Sequence, residues 1–334
     1  MNDWKVGVIG GGSWGTTVAH LLSRHKAVKL WARNSATVDE VNQNHSNQHY
    51  LPDAQLSPKL SATADLQEVT EGKNLIVMAI PSQNFRDVLT LGGKYIQKNT
   101  PIISLSKGLE LSTGSRMTEV IKQVLPENPS GVLTGPNLAI EIMAGFAAAS
   151  VLAMQDKVLS QQLQGVFHSS LFRVYRNQDV IGCELGGVLK NIIAIATGMG
   201  DGQGAGDNTR SAIITRGLAE MTRLGTAMGG DASTFAGLAG IGDLVATCTS
   251  EKSRNRTVGF RLGLGQSMED ISREMFMVAE GVKSAPGVIA LANQYNVKMP
   301  ICQQVCAVVQ GRSDAKRGFK ELLKAEIGSE SEPF

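Results

Sequence analysis

Lys190 and Asp243 are the residues in the second half of the chain most able to do proton chemistry. Lys190 lies in ELGGVLKNIIAIATG and is the single basic residue between Arg176 and Arg210, set in an otherwise apolar stretch. Burying an amine disfavours its charged form and lowers its pKa, which makes it a proton donor and acceptor near neutrality. The same lysine could instead lay its stem along apolar surface and carry its charge to water. Gly186 and Gly187, a turn earlier, would let such a helix approach a ligand closely. Asp243 lies in GLAGIGDLVATC, an acid among small apolar residues. It can cap the helix that follows, or face Lys190, orient the amine and hydrogen-bond a substrate, and the two roles are compatible.

A third stretch carries charge where local physics disfavours it. TSEKSRNRTVGF, residues 249–260, offers Ser253 as an N-cap but crowds Lys252, Arg254 and Arg256 against the positive end of the helix dipole. A helix start with open N–H groups and flanking arginines is a ready anion site, and a substrate phosphate would account for the charge. A solvated basic face, or arginines paired with acids elsewhere, would account for it too.

Near the N-terminus, VGVIGGGSWGTTVAHLL holds G-x-G-x-x-G as Gly10, Gly12 and Gly15, directly after a strand-like run and directly before a helix-like one. Gly10 permits a tight turn, Gly12 brings backbone N–H groups to a pyrophosphate, and Gly15 lets helix and strand pack. An ordinary glycine-rich turn is the alternative, and placement in a strand–helix–strand unit favours a dinucleotide. The second strand, AVKLWAR, ends in Arg33 rather than an acid, and a cation there suits a 2′-phosphate. NADP(H) is therefore the preferred cofactor, with NAD(H) also accepted, unless Arg33 is merely a solvated surface residue. Hydride exchange with an alcohol or ketone also needs a proton carrier. The chain has five histidines, four of them in the first fifty residues and the fifth at His168, so a histidine-based hydroxyacid dehydrogenase is disfavoured.

These residues must be positioned by two kinds of architecture. Strand-like runs at 4–10, 27–33, 74–80, 101–108, 131–135, 147–153 and 171–176 alternate with amphipathic stretches, a rhythm that predicts a parallel-rich sheet flanked by helices. Their continuous apolar character suits burial on both faces. From about residue 179 almost no β-type run remains, and long helical stretches broken by glycine follow. The expected organisation is an α/β Rossmann-like domain over 1–179 and an all-α domain over 180–334, with the catalytic cleft between them.

Composition narrows the class. With 334 residues, 42% of them hydrophobic, and a net charge of +2, the chain can build two cores and has no general pull toward nucleic acid or anionic membranes. Cys183, Cys248, Cys302 and Cys306 form no CxxC pair or spaced metal-ligand set, so reduced thiols and a cytoplasmic setting are expected. No leader-like N-terminus is evident, and the apolar stretch at 142–154 is too short to span a bilayer.

Read in order, GGGSWGT, SLSKGLE, GPNLAIE, ELGGVLKNIIAIATG, GLAGIGDLVATCTSEKSRNRTVG and VAEGV resemble the bacterial NAD(P)-dependent glycerol-3-phosphate dehydrogenases over nearly the whole chain. The resemblance implies reduction of dihydroxyacetone phosphate to sn-glycerol 3-phosphate, feeding glycerophospholipid synthesis. It implies that Ser13, Trp14, Arg33 and Ala139 contact the cofactor, and that Lys107 lies between cofactor and substrate. Gly135, Asn137, Asp243, Ser253, Arg254 and Asn255 would line the substrate, Arg254 also reaching the cofactor. Val278 and Glu280 would close over the nicotinamide side. Lys190 would be the proton acceptor in alcohol oxidation and the donor in ketone reduction. Asn137 departs from the family pattern, where Ser or Thr is common, although an amide can still donate and accept. A homodimer is expected from the apolar, glycine-rich helices. A related two-domain β-hydroxyacid or sugar-phosphate dehydrogenase, or a non-catalytic NADPH-sensing module, remain the competing readings.

Overall fold

Apolar runs bounded by glycine, proline and asparagine form the strands of the first 180 residues. The computed structural model, which describes residues 4–275 and 279–323, joins them in one sheet. Its strands are β1 (Lys5–Ile9), β2 (Ala27–Trp31), β3 (Ser61–Thr63), β4 (Leu75–Met78), β5 (Ile102–Ser104), β6 (Ser130–Thr134), β7 (Ala148–Ala153) and β8 (Phe172–Asn177). Their order is β3-β2-β1-β4-β5-β6-β7-β8. Every neighbouring pair is parallel except β6 with β7.

The helices of this part are α1 (Ser13–Ser23), α2 (Ser35–Asn44), α3 (Leu66–Thr70), α4 (Ser82–Gly93), α5 (Met117–Val124), α6 (Ala139–Met143) and α7 (Lys157–Phe167). The antiparallel pair is joined through α6, a single short helix of 5 residues. β3 is a strand beyond the seven expected. Its residues Ser61, Ala62 and Thr63 form no apolar run, and pairing with β2 defines it.

Alternation along the strands splits the apolar residues between the two faces. Val6 and Val8 of β1 join Leu75 and Val77 of β4 in one core layer. Ile9 joins Ile76, Met78 and Ile102 in the other. Both faces are covered, as continuous apolar parallel strands require.

The second part is helical: α8 (Val180–Gly202), α9 (Asp207–Ala227), α10 (Ala232–Phe235), α11 (Asp243–Thr249), α12 (Arg254–Gly263), α13 (Met268–Glu274), α14 (Glu280–Gln294), α15 (Pro300–Val309) and α16 (Ala315–Leu323). A π-helical turn, Leu238–Gly242, runs directly into α11. The expected order of an α/β part and then a helical part holds. The compact units are residues up to Ser106 with Ser115–Val180, and Lys107–Gly114 with the chain from Ile181 onward. Residues 107–114 thus leave the end of β5 to join the helical unit, where Leu109 is fully buried in its core.

α8 is the spine of that core, burying Leu185, Leu189, Ile192 and Ile193 among others. By length and apolarity it could cross a bilayer, but 89% of its apolar window is buried inside the protein, which makes it a core helix. Glycine sets how near α12 comes to it. A Cβ on Gly198 or Gly202 would meet the carbonyl oxygens of Arg256 or Phe260 at 2.1 and 2.3 Å, and one on Gly259 would meet that of Ile195 at 2.0 Å. Without side chains the two backbones touch, and the first turn of α12 is held beside the middle of α8.

Candidate active site

In the helical unit, one buried carboxylate gathers two amines. Lys190, midway along α8, donates to Asp243 Oδ1 at 2.5 Å and to Thr247 Oγ1 at 2.7 Å. Lys107, at the start of the 107–114 excursion, donates to Asp243 Oδ2 at 2.7 Å. The side chains of Lys190 and Asp243 are 7% and 2% exposed. Lys190 therefore does not carry its charge to water. Asp243 does not cap a helix either: Gly242 is the N-cap of α11, Asp243 is its first residue, and its carboxylate is committed to the lysines.

Burial is the largest influence on Lys190 and lowers its pKa to about 8; the Asp243 charge pulls the other way, and the Lys107 charge adds to the lowering. Two ammonium groups on one carboxylate leave net positive charge at a buried point, suited to an oxygen on which negative charge develops. The π-helical turn delivers Asp243 there, its last amide donating from Gly242 to Gly237 O at 3.1 Å. Such turns are frequent at functional sites. Gly186 serves protein packing rather than a ligand, since a Cβ on it would meet Ala239 O at 2.2 Å.

A hydrogen-bonded chain ties this centre to the start of α12. Asn191 donates to Lys107 O at 3.3 Å and accepts at Oδ1 from Asn255 Nδ2 at 3.0 Å. Asn255 Oδ1 then accepts the Gly281 N–H, in the first turn of α14, at 3.0 Å. Ser253 is buried and caps α12 by accepting from the Arg256 N–H at 3.3 Å. Arg254 stands exposed at the first position of α12, beside Glu280 at the start of α14, whose charge faces it. Arg256 is engaged elsewhere, donating to Asp201 Oδ2 at 2.8 Å, while Arg210 holds the other oxygen at 2.9 Å. Arg256 thus answers to an acid within the protein, and Arg254 faces the charge of Glu280. Val278 lies outside the described residues.

In the α/β unit, the carboxyl end of β1 forms a tight loop into α1. Gly10 has a φ of 128° and a Cβ on it would meet Ala79 O at 2.3 Å, while one on Gly15 would meet Gly10 O at 2.0 Å. At Gly12 a Cβ would meet nothing within 4 Å. Gly12 is also the N-cap of α1, which has no capping side chain and no acid in its first turn. The loop therefore faces open space at Gly12, whose N–H meets no acceptor among the described residues, an arrangement that fits an anionic diphosphate. Ser13 Oγ donates to Tyr50 O at 2.9 Å. Trp14 packs its ring at 6.0 Å from Phe172, with its indole nitrogen buried, so both residues offer a ligand chiefly their backbone. Arg33 is exposed just beyond β2, and Asn34 caps α2 through the Ala36 N–H at 2.9 Å. At the end of β6, Gly135 has a φ of 137° and Asn137 Nδ2 donates to Ser150 Oγ at 3.1 Å. Asn137 Oδ1 is buried without a donor among the described residues. Ala139 opens α6.

Family models match both parts of the chain: the NAD-dependent glycerol-3-phosphate dehydrogenase N-terminus over residues 5–160 and the corresponding C-terminus over residues 179–320. The chain belongs to the NAD-dependent glycerol-3-phosphate dehydrogenase family. A glycerol-3-phosphate dehydrogenase [NAD(P)+] of Sphingopyxis alaskensis is 59% identical over 98% of this chain and 99% of its own length. One from Mycobacterium avium is 46% identical over 99% and 97%. The crystal structure of glycerol-3-phosphate dehydrogenase from Coxiella burnetii superimposes with a TM-score of 0.93 at 39% identity, covering 96% of this chain and 99% of that one.

Within this family member, two residues at the amine centre were not singled out by the sequence reading. Thr247 holds the Lys190 amine and donates its own hydrogen to Asp243 O at 2.7 Å. Its signal was its position one helical turn after Asp243, which puts both on one face. Asn191 carries no such signal beyond adjacency to Lys190.

Proposed function

We propose that the chain catalyses the reversible reduction of dihydroxyacetone phosphate to sn-glycerol 3-phosphate with NADPH, accepting NADH less well, and so supplies glycerophospholipid synthesis. The observation that carries this reading is the Lys190 amine, buried, lowered in pKa and held by Asp243 beside a second ammonium. The open, uncapped loop at Gly12 fits the dinucleotide's diphosphate, and Arg33 at the end of β2 fits a 2′-phosphate. When bound, the reduced nicotinamide supplies a hydride to C2 of the ketone.

Lys190 gives its proton to the C2 oxygen as negative charge builds there, and takes it back in the oxidation direction. Asp243 and Thr247 fix the amine's direction, and Lys107 adds positive charge at the same point. The α12 start, through the Ser253 cap, Arg254 and Asn255, grips the phosphate, so that binding far from C2 orients the reacting carbonyl. Gly135 and Asn137 line the triose, Ala139 and Arg254 contact the cofactor, and Glu280 and Val278 border the nicotinamide.

We assign a cytoplasmic homodimer, supported by four free buried thiols and by two exposed apolar side chains, Phe260 on α12 and Leu264 at its C-cap. Sedimentation of the purified chain tests the assembly.

The decisive assay follows NADPH and NADH absorbance with dihydroxyacetone phosphate and with unphosphorylated keto acids. Turnover confined to the phosphorylated triose is expected. Equal turnover of a keto acid would favour a hydroxyacid dehydrogenase, and cofactor binding without oxidation of any ketone would favour a sensing module. Lys190→Ala should lose about 100- to 10,000-fold in turnover while still binding NADPH.

A further inference from the structure

The geometry points to Asn47 as the positioning residue that aims the Gly12 amide at the dinucleotide's diphosphate; this rests on the cofactor reading above. Asn47 lies between α2 and β3 and is fully buried. Its Nδ2 donates to Gly11 O at 2.9 Å and to Thr16 Oγ1 at 2.9 Å. The amide has one sensible orientation, because exchanging its nitrogen and oxygen would set Oδ1 against the Gly11 carbonyl.

The Gly11–Gly12 peptide is trans, as are all the described peptide bonds. In a trans peptide, C=O and N–H point in opposite directions. Tying the Gly11 carbonyl inward to Asn47 therefore turns the Gly12 N–H outward. Gly12 stands in open space and its N–H meets no acceptor among the described residues.

Asn47 is itself rigidly placed. Its own carbonyl accepts the Tyr50 and Leu51 N–H groups at 3.1 and 2.8 Å, and Ser13 Oγ fastens the same turn through Tyr50 O. The 47–51 turn is thus a buttress under the glycine loop, joined to it on both sides of Gly12. Asn47 acts on the ligand only through the peptide it holds. Without this bond, the freely rotating glycine peptide could present its carbonyl to the diphosphate, which repels it.

Asn47→Asp is the direct test, since it keeps the shape but puts an acceptor where the donor stands. Fluorescence titration of the intact protein without triose should give an NADPH Kd about tenfold weaker or more. The Kd for adenosine 2′-monophosphate, which has no diphosphate, should be unchanged. Asn47→Ser, too short to reach Gly11 O, should show the same split if the Asp variant folds poorly. In the unmutated protein labelled with 15N-glycine, saturating NADPH should move the Gly12 amide resonance. Unchanged NADPH affinity in either folded variant, equal loss of both ligands, or an unmoved Gly12 resonance overturns the inference while leaving the proposed reaction intact. If the unmutated protein binds no NADPH, the cofactor reading and this inference fall together.

Discussion

At the scale of the residue, Lys190 should write its pKa into the pH dependence of turnover. Reduction uses the protonated amine, so its kcat/KM should decline as pH rises through about 8, while oxidation should climb over the same range. The neighbours give the argument its sign. Asp243 raises this pKa and Lys107 lowers it. Asp243→Asn should therefore move the alkaline limb of the reduction profile to lower pH, and Lys107→Met should move it to higher pH. Initial rates from pH 6 to 10 check both, and shifts in one common direction would remove Lys190 as the titrating group. The amine and the acid were visible in the sequence because each is a charged residue isolated in an apolar run. Their pairing was one of two readings there, because 53 residues separate them and the π-helical turn, which no periodicity announces, is what aims Asp243. Arg256 shows the converse: charge crowding marked the α12 start as unusual, but Asp201, which answers Arg256, lies 55 residues away.

At the scale of the element, the crossing of α8 and α12 positions the phosphate grip, and glycine makes it possible. Gly259→Ala would drive a methyl into Ile195 O, only 2.0 Å from the new carbon, and neither backbone can yield cheaply. A stability loss of about 1–3 kcal/mol or more is expected. KM for dihydroxyacetone phosphate should rise more than kcat falls, as read from melting curves and steady-state kinetics. A second element contact depends on pH. Glu220 of α9 is buried and accepts the Ile301 and Cys302 N–H groups at the start of α15, at 2.6 and 3.2 Å. Burial raises its pKa from 4.5 to about 7, outweighing those hydrogen bonds and the charge of Arg223. A raised folded-state pKa favours the protonated form. Its stabilising effect is full below about 4.5 and fades as pH rises through about 7, a change of about 3 kcal/mol. Glu220→Gln should lack this titration, so its melting temperature relative to the parent should improve between pH 5 and pH 8. A constant difference would show that Glu220 does not titrate there. Strand runs and long apolar helices were legible because burial imposes their periodicity. β3 and the π-helical turn were not, since the first exists by edge pairing and the second by glycines such as Gly240, whose Cβ would meet Phe235 O at 2.1 Å.

At the scale of the whole molecule, the order of the chain and the membership of the cores diverge at one place. Residues 107–114 leave the sheet's end and join the helical unit. Nothing in SLSKGLE announces this, because a short run after a strand carries no periodicity, and its destination is decided by the partner that buries it. There, Leu109 is fully buried, Leu111 lies against Gly287 and Lys107 pairs with Asp243. A fragment comprising residues 181–334 would lack all three. Losing Leu109 alone leaves a void worth about 2–5 kcal/mol, and Asp243 keeps one amine instead of two. That loss is a large part of an ordinary domain's stability. The fragment should therefore melt well below the intact chain, with a broad transition by circular dichroism. A peptide of residues 105–115 added in trans should raise its melting temperature in a concentration-dependent manner, since it binds the folded form alone. The same peptide with Leu109→Ala should have much less effect. A fragment that melts sharply and ignores the peptide would show that the helical core is complete without the excursion, and that Lys107 is a visitor to the Asp243 site rather than part of its frame.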